Sequence, residues 1–260
     1  MCCIYKLLYY CTLFVRIKNT CLLLLFSLLC LSVRAQKDVS HQSLYWLRYY
    51  NQLSINKKWA LHNEIENRRF LENNRQHHFI AHTRLYYKIL RNTDVALGLT
   101  YSRQSPQEAN ATLTLVVPEI RPNQEINLNN VLANRLTLQH RIRIDERFIR
   151  KNNGNQLLDG YDFNFRFRYR LQANYRLSSD SANNKTTFKL SNEIMLNAGK
   201  NIVYNQFDQN RTYIGCEQEV NKKISVELGY LHWYQQRAKQ NQFFDRDIVR
   251  LTVLHKLKWR

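Results

Sequence analysis

Glycine and proline are scarce, at 6 and 3 in 260 residues. That scarcity excludes a collagenous, linker-rich or low-complexity chain. Cysteine is scarcer than its total of 6 suggests, because Cys2, Cys3, Cys11, Cys21 and Cys30 all stand in the first 35 residues. Beyond them only Cys216 remains, so neither an internal disulfide nor a cysteine-pair zinc site is available to the rest of the chain. Acids are outnumbered, with 20 Asp and Glu against 39 Lys and Arg for a net charge of +19. A nucleic-acid binder gathers such an excess into a tail, a helix face or a motif. Here the bases are spread along the whole chain between apolar residues, and no nucleic-acid partner is expected. Also missing are a glycine-rich phosphate loop and, after Ala35, any sustained helical periodicity.

The first 35 residues read differently from the remainder. Lys6, Arg16 and Lys18 precede the apolar run Cys21 to Leu31, which ends in Ser32-Val33-Arg34-Ala35. A basic region, a short apolar core and a small residue at the cut form a secretory signal peptide, and the apolar core is too short for a membrane-spanning helix. Cleavage is expected after Ala35, so that residues 1–35 are the leader and 36–260 the exported domain. Cys30 is a poor lipidation site because bulky Leu29 precedes it. The leader carries four bases and no acid, so 35 bases face 20 acids in the exported part, a net charge of +15.

What the exported part has in abundance is alternation. In Gly160 to Leu177, Phe163, Phe165, Phe167, Tyr169 and Leu171 alternate with Asn164, Arg166, Arg168 and Arg170, a period of two that defines a strand. The same pattern recurs in Ser43–Ile55, Trp59–Phe70, His77–Leu90, Val95–Tyr101, Asn134–Ile149, Phe188–Ala198, Arg211–Val220, Ile224–Tyr234 and Ile248–Trp259. Leu113–Leu128 is less regular, since Pro118 and Pro122 suit a central strand badly. Strands of roughly 11–17 residues are longer than the short strands of a soluble sandwich. They match a closed transmembrane antiparallel β-barrel, all-β, with 10–12 strands, apolar outside and polar inside. The aromatic residues, 16 Tyr and 12 Phe, are numerous enough for interfacial girdles. On this reading Phe163, Phe165, Phe167, Tyr169 and Leu171 face lipid. Strand parity is open: counted back from a C-terminus on the short-turn side, the first strand begins on the opposite side. That implies either one more strand near Pro118 or an entry of residues 36 to 42 through the lumen.

The inward faces collect Glu64, Glu66, Arg68, Arg84, Glu119, Arg121, Arg141, Arg143, Asp145, Arg147, Arg166, Arg168, Arg170, Glu193 and Arg211. Ten are Arg and five are acids, so the lumen is expected to be electropositive. Such a set either fills the barrel as a structural network or lines a narrow path for small anions.

Together with Trp46, Trp59-x4-Glu64-x3-Arg68, Pro118-Glu-Ile-Arg121, Arg141-Ile-Arg-Ile-Asp145-x-Arg147, Arg166-x-Arg168-x-Arg170, Glu193, Asn210-Arg211 and Gly229-Tyr230, this order resembles the domain-of-unknown-function family DUF2490. The resemblance implies an outer-membrane β-barrel of a Gram-negative bacterium and no established activity. Asp145 stands where that pattern more often has Glu, and the chain ends Trp259-Arg260 rather than on an aromatic residue.

The sequence therefore points to an outer-membrane barrel, structural or a narrow channel, that meets outer-membrane lipid and the barrel-insertion machinery. Three alternatives stay open: an anion-permeable porin, a lipid-modifying enzyme and a secreted soluble β-protein. Oligomeric state is not legible. No cofactor, metal or catalytic residue is expected. Lipid hydrolases on barrel surfaces pair His with Ser two residues on, and the residues two after His140, His232 and His255 are Ile142, Tyr234 and Leu257. Of His77, His78 and His82, only His78 and His82 share a strand face, roughly 13 Å apart at strand spacing.

Overall fold

Residues that alternate in polarity through many consecutive strands must bury one face of each, and the chain does so by closing its sheet on itself. The computed structural model describes residues 37–178 and 185–259, so the leader and its cleavage site lie outside the described residues. The chain divides into Met1–Lys37 and a compact unit, Asp38–Arg260. Eleven strands build that unit: β1 (Asp38–Ser54), β2 (Trp59–Phe70), β3 (Gln76–Leu90), β4 (Thr93–Gln104), β5 (Val117–Ala133), β6 (Leu136–Asn152), β7 (Leu157–Arg176), β8 (Thr186–Ala198), β9 (Phe207–Glu219), β10 (Ile224–Gln236) and β11 (Gln242–Lys258). Each pairs antiparallel with the next, and β1 closes the barrel on β11 in parallel.

That parallel seam settles the parity question and corrects both expectations attached to it. No additional strand appears near Pro118 among the described residues. Asp38 to Gln42 do not enter the lumen but pair with Gln242 to Arg246 in the wall. An odd strand number requires the first and last strands to run the same way, so the barrel is not antiparallel throughout.

The stagger follows from the pairing. A row leaving β1 at Ser54 passes Ala60, Tyr86, Ala96, Glu125, Arg143, Arg168, Met195, Gln209, Gln235 and Phe244, then re-enters β1 at Ser40, fourteen residues away. Fourteen steps of ~3.3 Å against eleven spacings of ~4.8 Å tilt the strands by about 41° and give a backbone radius of roughly 11 Å. Such a barrel is wider than the eight-stranded kind that ordinary side chains fill.

With so little glycine and proline, asparagine makes many of the turns. The Oδ1 atoms of Asn56, Asn153 and Asn221 each accept two backbone N–H groups of the residues that follow, and Asn74 and Asn241 adopt the left-handed conformation with φ of 56°. Pro122 is tolerated in β5 because the ladder to β6 skips it. Pairing lapses between Ile120–Phe148 and Asn123–Asp145 while the register is kept.

Connections 55–58, 91–92, 134–135 and 220–223, the C-terminal end of β7, the N-terminal end of β8 and the C-terminal end of β11 lie at one end, the turn end. Connections 71–75, 105–116, 153–156, 199–206 and 237–241, with Asp38, lie at the other, the loop end. Along most of the wall the outer face is apolar, as in Leu97 (68% exposed), Leu228 (58%) and Phe167 (44%). Near the loop end the polarity inverts. Leu44, Trp46, Phe70, Leu231, Trp233 and Ile248 form a buried apolar cluster inside, whereas Ser43, Arg69, Asp245 and Asp247 occupy outward positions.

Candidate functional site

Alternation delivers the charges to the interior, and register decides which of them meet. All fifteen charged residues singled out from the sequence sit on the inner face; Arg141, Arg168, Arg170 and Arg211 are half-buried and the rest buried. Phe163, Phe165, Phe167, Tyr169 and Leu171 sit on the outer face, each exposed. The interior also holds Arg48, Glu125, Lys189, Asp208, Glu217, Glu227, Arg246 and Arg250, which sequence reasoning did not select. Arg48 follows Trp46 on one face, and Glu227 and Arg250 lie on strands with the same alternation, so the signal was present. Their partners are far away in sequence and were not legible.

Among these residues fourteen cations thus stand against nine carboxylates, and most of the acids serve more than one base. Glu119, fully buried, accepts from Arg147 at 2.5 Å and Arg121 at 2.6 Å. Asp145 lies 2.6 Å from Arg143 and 3.3 Å from Arg168. Glu193 lies 2.6 Å from Arg141 and 2.9 Å from Arg168, and Glu64 lies 2.5 Å from Arg48 and 2.6 Å from Arg84. Glu66 pairs with Arg68, and Asp208 with Arg166 at 2.8 Å. Glu227 accepts from Arg250 and Tyr213, each at 2.7 Å, and from Lys189 at 2.5 Å. This sharing makes a cation-rich interior tolerable, since each buried charge needs an opposite neighbour far more than an exposed one does.

Three interior arginines have no carboxylate within ion-pair distance among the described residues. Arg211 lies over Trp233 (4.5 Å) and Trp46 (5.4 Å), and Arg246 over Phe244 (4.1 Å) and Trp233 (4.4 Å), where ring faces take the place of counter-charge. Arg170 has neither an acid nor a ring, only Gln139 Oε1 at 2.9 Å.

Two glycines shape the wall beside this network. Gly215 and Gly229 are cross-strand partners on β9 and β10, and the Tyr213 ring lies over both, so that a Cβ on either would come within 2.2 Å of its oxygen. Arg250 stacks on the ring at 3.8 Å.

The loop end carries a cover. Segment 105–116 folds over it: Gln107 O accepts from Gln42, Ala109 enters the apolar cluster, and Arg75 binds the carbonyls of Ala111 and Leu113. Below this lid lies a small cavity of about 130 Å³. A larger vestibule of about 650 Å³ occupies the turn-end half. The two meet at a neck lined by Arg48, Arg84, Arg141, Arg170, Gln172 and Arg250.

Donor atoms of Glu64, Glu66 and His82 lie within 4.8 Å of one another. Yet Glu64 is held by Arg48 and Arg84, Glu66 by Arg68, and His82 Nδ1 by Thr100. Guanidinium groups already occupy the lone pairs a metal needs, and they repel a cation.

One His is followed two residues on by Ser, contrary to the expectation that the pairing is absent: His41, with Gln42 and Ser43 after it. Both occupy outward positions of β1, and His41 Nδ1 is 3.4 Å from Asp245. No hydrogen bond joins Ser43 Oγ to His41, and Asp245 is engaged more closely by His232 Nε2 at 2.5 Å.

The class these features define is a closed, eleven-stranded β-barrel with an ion-paired interior and an apolar exterior. A family model described as "Protein of unknown function (DUF2490)" matches residues 44–244, and the chain belongs to that family. No curated protein and no solved structure matches it.

Proposed function

We propose that this protein is an outer-membrane β-barrel, exported by a signal peptide cleaved after Ala35, that acts as a closed, non-enzymatic membrane component rather than as an open pore. The observation that carries this reading is the pairing of opposites across one wall. An encircling exterior rich in exposed Leu, Ile, Phe and Tyr far exceeds the apolar patch a water-soluble protein presents, while the interior is charged, ion-paired and covered at the loop end. Strands of 12 to 20 residues are long enough to cross a bilayer at this tilt. The short turns lie with the C-terminus, which in this architecture is the periplasmic side. The vestibule then opens to the periplasm and segment 105–116 faces outward.

Net positive charge in the interior favours a second, narrower role, weak anion conduction, should the loop-end lid open. Membrane fractionation and planar-bilayer recording test the set together. Detergent-dependent extraction, slower gel migration after heating and absent or anion-selective conductance are expected. Release as a soluble periplasmic protein would refute the membrane reading, and large cation-selective currents would refute the closed, electropositive interior.

A further inference from the structure

Like charges placed directly opposite each other on paired strands repel, and β6 and β7 do this twice, at Arg143–Arg168 and at Arg141–Arg170. The first pair is bridged by the carboxylate of Asp145. The second has no shared carboxylate. Arg141 turns to Glu193, and Glu193, the register partner of Arg170 on β8, is already taken by Arg141 and Arg168. Arg170 is left with Gln139 alone, and its Nε, like those of Arg141, Arg84 and Arg250, is buried without a hydrogen-bond acceptor.

All four of these arginines line the neck where the vestibule ends. The vestibule lining carries nine Lys and Arg against five Asp and Glu, and its volume suits a small solute. The geometry therefore points to a seat for a small oxyanion, phosphoryl or carboxylate, at the floor of the turn-end vestibule. There an incoming oxyanion bridges Arg170 and Arg141 as Asp145 bridges Arg143 and Arg168. This rests on the reading of the interior as closed above the neck: the ligand enters from the turn end and stops, bound rather than conducted. Guanidinium forks bind such groups with two parallel hydrogen bonds, which chloride cannot reproduce.

The test uses the full exported chain in detergent, titrated calorimetrically with inorganic phosphate and with citrate at constant ionic strength, chloride being the control. Saturable binding of either oxyanion is expected, at least tenfold weaker in Arg170→Gln and partly retained in Arg170→Lys. Arg170→Gln orphans no acid and should keep the wild-type heat-dependent gel shift, so a loss of binding is not a loss of fold. A second arm compares reconstituted protein in phosphatidylcholine vesicles with and without phosphatidylglycerol. Thermal stabilisation by the anionic lipid alone, lost in Arg170→Gln, would identify a lipid headgroup as the source of the phosphoryl group. Binding no stronger than chloride in both arms, or binding indifferent to Arg170→Gln, would overturn the proposal. Conductance measured on the same preparation separates the two readings, since an open barrel refutes closure whether or not the oxyanion binds.

Discussion

Replacing Glu119 by Gln removes one negative charge and leaves the shape of the side chain almost unchanged. Glu119 is fully buried and, among the described residues, is the one carboxylate paired with both Arg121 and Arg147. Its loss strands two guanidinium groups inside a barrel that already has too few acids. Breaking a buried pair costs about 3–5 kcal/mol because an uncompensated charge remains, and here two remain, so Glu119→Gln should destabilise by at least that much. Arg168→Gln is the opposite case. Its acids keep other partners, Arg143 for Asp145 and Arg141 for Glu193, and one surplus cation leaves. A cost of about 1 kcal/mol, near that of one net hydrogen bond, is expected. Urea unfolding and refolding in lipid vesicles, followed by the heat-dependent gel shift, measures both variants against wild type. Equal destabilisation, or greater damage from Arg168→Gln, would refute the argument that acids are the limiting component of the interior.

On the outer face, Phe167→Asp places a charge where the chain is read as meeting lipid, and should cost about 2–3 kcal/mol and lower the yield of folded barrel; a wild-type yield would put that face in water. Gly229→Ala drives a Cβ into Tyr213, and the displaced ring loses Glu227 and the Arg250 stack. A loss of about 1–3 kcal/mol is expected from such overpacking, readable as an earlier unfolding midpoint, and no change would mean that the Tyr213 position is not fixed by the glycine pair. A fluorophosphonate probe should leave Ser43 unlabelled. Labelling that vanishes in Ser43→Ala and in His41→Ala would establish a reactive serine and sink the non-enzymatic reading.

The strands were legible where polarity alternates in the ordinary sense, apolar out and polar in, as at Phe163 to Tyr169 against Arg166 and Arg168. They were misjudged where that sense inverts. The sequence pattern starts β1 at Ser43, β9 at Arg211 and β11 at Ile248, whereas the strands start at Asp38, Phe207 and Gln242; in the missed stretch of β11 the outward Asp245 and Asp247 are polar while Phe244 points inward. A rule written for the lipid-facing part of a barrel does not hold at a rim whose inside is plugged. The inner charges were legible for the same reason as the strands, but Arg48, Glu125, Glu227 and Arg250 escaped selection because nothing local marks them as partners. Arg141 reaches Glu193 across 52 residues, and only register brings them together.

By itself the sequence determined which residues share a face within each regular stretch of strand, because a period of two leaves no other choice for an extended backbone. It also set the excess of arginine over acid inside, whatever the pairing. Only the tertiary structure decided that eleven strands close with a stagger of fourteen residues through a parallel β1–β11 seam. Closure is a condition on the whole sheet, not on any one strand. That stagger sets which strand positions stand at one height, and so leaves Arg170, among the interior arginines, with no carboxylate and no ring to meet.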